Sequence, residues 1–202
     1  MQSTGTDVQP APKYGETTTR VILAIDRGVY VAAKHWLIWV GAIMFMTIGF
    51  AILAPILVAT GHPGLARPIY FYFHFFCHQR SNRSFHLGGE KMACCERCAA
   101  MYGTLAIGSI CFVALRSRLQ PPKLRYVTYL AIPMAIDGLT QLAGFRESTW
   151  EIRVVTGTIF GAGMCWLLYP FLEKGFAESR EQLETRFDRL ATQGRAKPLR
   201  GV

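Results

Sequence analysis

The chain has 202 residues, a formal net charge of +9, 51% hydrophobic residues and 17% charged residues. Soluble domains carry about 25% charged residues, so this composition favours a membrane protein. The excess of positive charge is explained by membrane orientation and by contact with anionic headgroups. We expect no nucleic-acid partner, because there is no aromatic-interleaved basic stripe and no DNA-binding motif.

The residues before the first apolar stretch divide into two parts. Residues 1–19 are rich in Thr, Pro, Gly and Ser, and we expect them to be disordered. Residues 20–34 repeat Val21, Ile25 and Val29 at helical spacing, with charged residues on the opposite side. This pattern predicts an amphipathic helix that lies in the membrane interface.

A membrane domain over residues 35–172 is predicted from stretches that carry few or no charges. Crossing the hydrocarbon core takes about 20 helical residues. The third stretch contains Asp137 and Gln141, which a span tolerates only where they face protein or water. In the fourth, Gly157 and Gly161 form a small-residue ridge that predicts close helix packing. We therefore predict an all-α, polytopic helical bundle with four transmembrane helices, at about 36–60, 98–116, 126–143 and 153–172.

A short aromatic-rich segment, 68–79, follows the first span. As a helix it would cover about 18 Å, too little to cross, so we predict a re-entrant or interfacial helix. On such a helix His74 and His78 would share one face.

The positive-inside rule then sets the orientation of the membrane domain. With four crossings and the amino terminus inside, fifteen of the 22 Lys and Arg residues fall on the cytoplasmic side, whereas five crossings leave ten there. We expect both termini to be cytoplasmic and the Cys/His loop, 74–98, to be exoplasmic.

The tail, residues 173–202, alternates charges of both signs. Its apolar residues fall on one helical face, which predicts a cytoplasmic amphipathic helix; they are Phe176, Leu183, Phe187 and Leu190. Two uses of that face stay open: self-association and docking on the membrane surface.

The Cys/His loop carries Cys77-His78-Gln79-Arg80 and, further on, Cys95-Glu96-Arg97-Cys98. Structural Zn²⁺ takes four thiolate or imidazole ligands, and a closed site would stabilise a loop that has little hydrophobic core. We predict a zinc site on Cys77, Cys95 and Cys98, with His78 as fourth ligand and His86 as its alternative. A disulfide or redox pair and unligated thiols stay open.

Arginines crowd the same side of the membrane. A guanidinium group binds phosphate or carboxylate in a bidentate manner. The residues expected to bind an anionic lipid or phosphate are Arg80, Arg83, Arg97, Gln141, Arg146 and Arg153. The alternative is that these arginines pair with Asp137, Glu90, Glu96 or Glu147 and reach toward headgroups.

Asp137 is the predicted catalytic residue, because an intramembrane carboxylate is costly unless it is paired, solvated or protonated. On one helical face with Gln141, it could position an arginine, a metal-bound water or a proton. The structural alternative is an interhelical hydrogen bond or an N-cap after a kink at Pro133.

The run CHQRSNRSFHLGGEKMACCERCAAMYG, with DGLTQLAGFREST and IRVVTGTIFG, resembles the bacterial and archaeal family of predicted membrane proteins known as domain of unknown function 2085, DUF2085. The resemblance covers about residues 70–172. It implies a polytopic protein of the prokaryotic plasma membrane and no particular activity. The matching positions are Cys77, His78, Gln79, Arg80, Arg83, Ser84, Cys95, Arg97, Cys98, Tyr102, Gly103, Asp137, Gly138, Gln141, Arg146 and Ser148.

These observations predict an integral membrane protein with an exoplasmic zinc site beside an intramembrane aspartate and an anionic, lipid-linked ligand. Catalysis would require one open metal position. Two alternatives stay open. The first is a membrane thiol-disulfide protein that cycles Cys95 and Cys98, with Cys77 as resolving thiol. The second is a non-catalytic accessory subunit of a membrane complex.

Overall fold

A computed structural model describes residues 15–199, and its main elements are helices. They are α1 (Glu16–Lys34), α2 (Trp36–Ala59), α3 (Pro63–His74), α4 (Glu96–Leu115), α5 (Leu124–Leu142) and α6 (Trp150–Thr192). A 3-10 turn, Ser81–Arg83, and an antiparallel pair of two-residue strands, β1 (His86–Leu87) and β2 (Glu90–Lys91), lie between α3 and α4. The predicted all-α class is confirmed.

Three of the described helices are long and apolar enough to cross a membrane: α2, α4 and α6. They correspond to the first, second and fourth predicted spans. The third predicted span is helical as α5, but it is not among these three. The chain is therefore a helical membrane protein with three candidate spans.

The outward surfaces of α2, α4 and α5 carry exposed apolar side chains. In a soluble protein, large hydrophobic side chains exposed over such an area would be a liability, but they suit contact with lipid. Exposed examples on α2, α4 and α5 are Ile38, Trp39, Ile43, Ile107, Ile110, Val113, Ile136 and Leu139.

The buried core joins α2, α3 and the beginning of α4. Ala51 and Ala54 of α2 are fully buried, and they belong to one cluster with Phe73 of α3 and Ala99 of α4. The backbone N–H of Ala93 donates to the Ala51 carbonyl oxygen over 3.3 Å, which ties the Cys/His loop to α2.

Glycines allow α6 to approach α4 closely. A Cβ atom on Gly157 would lie 2.5 Å from the carbonyl oxygen of Arg97, and one on Gly161 would lie 2.9 Å from the Cβ of Thr104. No larger residue fits at Gly157 without moving backbone, so the predicted packing role of this ridge is confirmed.

The chain divides into two compact units, of which the larger is His35–Phe176. In the smaller, α1 packs with the part of α6 from Ala177 onward. Tyr30 donates to Glu184 over 2.8 Å, and Arg186 pairs with Asp26 at 2.6 Å.

The predicted tail helix is the end of α6, which runs without a break to Thr192. Its apolar residues Leu183 and Phe187 pack in a cluster with Tyr30. This face is therefore used inside the chain. The predicted disorder of residues 1–19 falls mostly on 1–14, which lie outside the described residues, as do 200–202; α1 already begins at Glu16.

Candidate metal and anion site

The helix before the thiols ends earlier than predicted. It covers Pro63–His74 instead of 68–79. Its earlier start is explained by Pro63, because proline suits the first turn of a helix. Gln79 has a φ of +48°, which cannot continue a helix, so His78 lies in irregular chain. The prediction that His74 and His78 share a helical face is therefore wrong.

Three cysteines converge from two segments of the chain. Cys77 is buried just after α3, Cys95 is the N-cap of α4, and Cys98 lies in the first turn of that helix. Their Sγ atoms all lie within 4.8 Å of one another. The backbone N–H of Cys95 donates to the Cys77 Sγ over 3.1 Å. The three thiols are free.

The cluster is electrostatically polarised. Hydrogen bonds from the thiols of Cys95 and Cys98 lower the pKa of Cys77 to about 2. The bond to Cys77 raises the pKa of Cys95, because it favours the protonated donor. Burial raises the pKa of the neighbouring Cys94 thiol. The hydrogen bonds within the cluster thus favour the thiolate at Cys77 over the thiolates at its two partners.

A small hydrogen-bond network holds the chain that follows Cys77. The Gln79 side-chain amide donates to the Tyr70 carbonyl oxygen over 2.7 Å, and Lys91 Nζ donates to the Gln79 carbonyl oxygen over 2.8 Å. The Tyr70 hydroxyl donates to the Lys91 carbonyl oxygen over 2.5 Å. These contacts fix Gln79 in its uncommon left-handed conformation. Neither Tyr70 nor Lys91 was predicted as a site residue, since no local motif marks a contact between α3 and β2.

The structure brings together three of the four predicted metal ligands. His78 is exposed, and the cluster within 4.8 Å contains, of the described residues, only the three cysteines. The alternative ligand His86 is also exposed, and its Nε2 lies 3.0 Å from the Ser81 hydroxyl oxygen.

A cleft of about 400 Å³ opens beside the thiols. Its described lining contains four arginines, the three clustered cysteines and no carboxylate. Six of the polar residues predicted from the sequence line it: His78, Arg80, Arg83, Arg97, Gln141 and Arg153. Arg146, also predicted, does not. The electrostatic character of this wall is positive.

Carboxylates outside the cleft lining hold two of the four lining arginines, and also Arg146. Asp137, 1% exposed, accepts from Arg97 and from Arg146, the latter over 2.8 Å. Glu96 pairs with Arg153 at 2.9 Å. These contacts match the structural alternative considered for the arginines.

The remaining two arginines are less constrained. Arg83 lies 3.7 Å from the exposed carboxylate of Glu147. Arg80 is exposed and has no acidic partner within the described part of the chain. Both are therefore available to meet an anion in the cleft.

Some donors in the cleft wall lack an acceptor. The Nε–H groups of Arg83, Arg97 and Arg153 are buried without a hydrogen-bond partner. With its amide oxygen turned toward Arg153, Gln141 accepts from that guanidinium group over 3.1 Å. The cleft lining is rich in guanidinium donors and, among the described residues, has no carboxylate, which suits an anionic group.

A family model matches the part of the chain that contains this site, and two known proteins match about half of the chain. The family model described as predicted membrane protein, DUF2085, matches residues 77–167. An uncharacterized protein of Methanocaldococcus jannaschii is 38% identical over 104 residues, which are 50% of this chain and 67% of the relative. An uncharacterized protein of Methanothermobacter thermautotrophicus is 35% identical over 100 residues, 47% of this chain and 86% of the relative. No solved structure matches the chain.

Proposed function

This chain belongs to the DUF2085 family of predicted membrane proteins, and we propose that it binds Zn²⁺ on three thiolates beside a cleft for an anionic group. The observation that carries the proposal is the convergence of the Sγ atoms of Cys77, Cys95 and Cys98 within 4.8 Å. Zn–S bonds of about 2.3 Å in a tetrahedron place sulfurs about 3.8 Å apart. A contraction of no more than about 1 Å completes such a geometry.

His78 is the proposed fourth ligand. It follows Cys77 directly, it is exposed, and it lines the same cleft as the three sulfurs. With the His78 imidazole as fourth ligand the site would be Cys₃His, the structural kind.

If His78 does not bind the metal, water would take the fourth coordination position, and the metal could act as a Lewis acid. Asp137 would then be the predicted general base. Because two arginines already hold the Asp137 carboxylate, the geometry favours the closed, non-catalytic site.

The ligand proposed for the cleft is anionic, a phosphate or a lipid headgroup that carries one. Of the described residues, four arginines and no carboxylate line the cleft, and the Arg80 guanidinium group has no acidic partner among them. Arg97 and Arg153 are oriented by their own buried acids, so they need no reorganisation to receive an anion.

We also propose four spans and a re-entrant or interfacial α3 in the prokaryotic plasma membrane, with cytoplasmic termini and an exoplasmic thiol cluster. The support for α5 is its two faces: Asp137 and Gln141 are buried, whereas Ile136 and Leu139 are exposed. Its 19 residues cover about 28 Å, close to one hydrocarbon core.

An interfacial position is proposed for α1. The residues Val21, Ile25 and Val29 form an exposed apolar stripe on this helix. A stripe of this kind inserts into the headgroup boundary.

The metal proposal is tested by elemental analysis of the full chain, purified in detergent without chelators. We expect about one zinc per chain, lost in Cys95→Ser. Cys111→Ser is the matched control, since it removes an exposed α4 thiol outside the cluster, and it should keep the metal. Wild-type protein that is free of metal and takes up none on incubation with Zn²⁺ contradicts the proposal.

A redox role is the second candidate, and the placement of Cys95 and Cys98 at the beginning of α4 favours it. The C-x-x-C spacing at the beginning of this helix suits a reversible disulfide. Differential alkylation of the same preparation decides. Metal-free protein with a reducible Cys95–Cys98 disulfide supports the redox role, and zinc-dependent protection of all three thiols supports the metal site.

A further inference from the structure

We infer that the ligand of the cleft is an amphiphile, an alkyl chain that carries a phosphate group, and that the chain lies in an apolar groove between α2 and α3. The inference rests on the proposed anion-binding role of the cleft. It assigns the groove as a second part of the same binding site.

The groove has a volume of about 360 Å³. Within the described part of the chain no charged residue lines it, and the lining residues are Ile43, Met46, Thr47, Phe50, Pro68, Ile69 and Tyr72. The Thr47 hydroxyl donates to the Ile43 carbonyl oxygen over 2.8 Å, so its proton needs no acceptor from a bound ligand. A hydrocarbon chain satisfies such a surface, whereas a polar ligand would lose its hydration there.

The groove and the cleft are joined by one aromatic contact. Tyr72 lines the groove, and Phe76, four residues on, lines the cleft. The centroids of their rings are 5.5 Å apart, and both side chains are exposed. The linings of the groove and of the cleft are therefore in aromatic contact, and a single-chain anionic lipid would fit across that contact.

The charges agree with this orientation. The positive groups, Arg80, Arg83, Arg97 and Arg153, all line the cleft and none lines the groove. The phosphate group of the ligand would thus lie in the cleft, and its alkyl chain would lie in the groove. Free phosphate would occupy the cleft alone, so the two sources differ in their dependence on chain length.

The test compares inorganic phosphate, butyl phosphate and octyl phosphate on the full chain in detergent, by calorimetric titration. Buried methylenes add up to about fourfold in affinity each, so we expect octyl phosphate to bind at least about tenfold more tightly than inorganic phosphate. Thr47→Trp fills the groove. It should reduce this advantage to less than about threefold and leave the affinity for inorganic phosphate unchanged.

The matched control is Ile38→Trp, which adds the same ring to an exposed α2 position outside the groove; it should retain the advantage. If the two variants show the same dependence on chain length, the gain comes from the micelle and the inference is overturned. If inorganic phosphate itself does not bind, the anionic role of the cleft fails first. Ile69→Trp, on the α3 side, replaces Thr47→Trp should that variant not fold.

Discussion

Two buried acids organise the arginines of this site. Asp137 accepts from Arg97 and Arg146, and Glu96 pairs with Arg153. Each charge alone would be costly away from water, so the pairs compensate one another. Because neither acid lines the cleft, the arginines keep a positive face toward it. The buried Asp137 thus has a structural use that does not require proton transfer.

Removing one member of the Asp137 group should be expensive. Asp137→Asn leaves two guanidinium groups short of a counter-charge, and we expect a loss of about 3–5 kcal/mol in the free energy of unfolding. Denaturant titration in one detergent measures it. Glu147→Gln is the control, because its side chain is 74% exposed and 3.7 Å from Arg83, and it should cost less than about 1 kcal/mol. Equal losses of unfolding free energy in Asp137→Asn and Glu147→Gln would show that burial does not govern the strength of the Asp137 ion pairs.

At the scale of elements, the beginning of α4 is held between two constraints. Cys95 caps the helix and meets Cys77, while Arg97 presents its carbonyl oxygen to Gly157 of α6. The spacing of small residues predicted close packing for α6. It could not name the partner helix, because a ridge of glycines suits any helix that presents a flat surface.

The α4–α6 contact is tested by adding one methyl group. Gly157→Ala would place a Cβ 2.5 Å from the Arg97 carbonyl oxygen, so helix or backbone must shift, at a cost of about 1–3 kcal/mol in unfolding free energy. Gly49→Ala in α2 is the matched control, since nothing lies within 4 Å of its Cβ position; helix propensity should leave it neutral or slightly stabilised. Thermal and denaturant unfolding compare them. Identical behaviour of the pair would mean that α4 and α6 do not approach this closely.

At the scale of the whole molecule, the open question is the number of crossings. Three described helices qualify by hydropathy and length, and we propose α5 as a fourth because its polar residues Asp137 and Gln141 are buried. Hydropathy averages over all faces of a helix and cannot see this. With four crossings the chain ends lie on one side of the membrane; with three they do not.

Epitope tags inserted after Gln120 and after Glu147 decide the number. These positions flank α5, so four crossings place the first tag in the cytoplasm and the second outside. Protease accessibility in spheroplasts, with intact and permeabilised membranes, measures this, and a carboxyl-terminal tag provides the internal reference. Two tags on the same side would show that α5 does not cross.

The sequence by itself determined the helical membrane class, the positions of the main helices and the identity of the clustered thiols. These are local properties: apolar runs of membrane length and cysteines at ligand spacing leave little choice. It also predicted that the arginines and acids of the loops could pair. It did not predict where α3 ends, because the left-handed Gln79 is stabilised by Tyr70 and Lys91, residues that only packing brings near.

The tertiary structure alone decided that His78 stays outside the cluster of the three thiols, and which acid holds which arginine. Distances between separate loops depend on how α2, α3 and α4 pack, and that packing is a sum of many weak contacts without a local signature. The groove between α2 and α3 also depends on this packing, because its lining residues come from both helices.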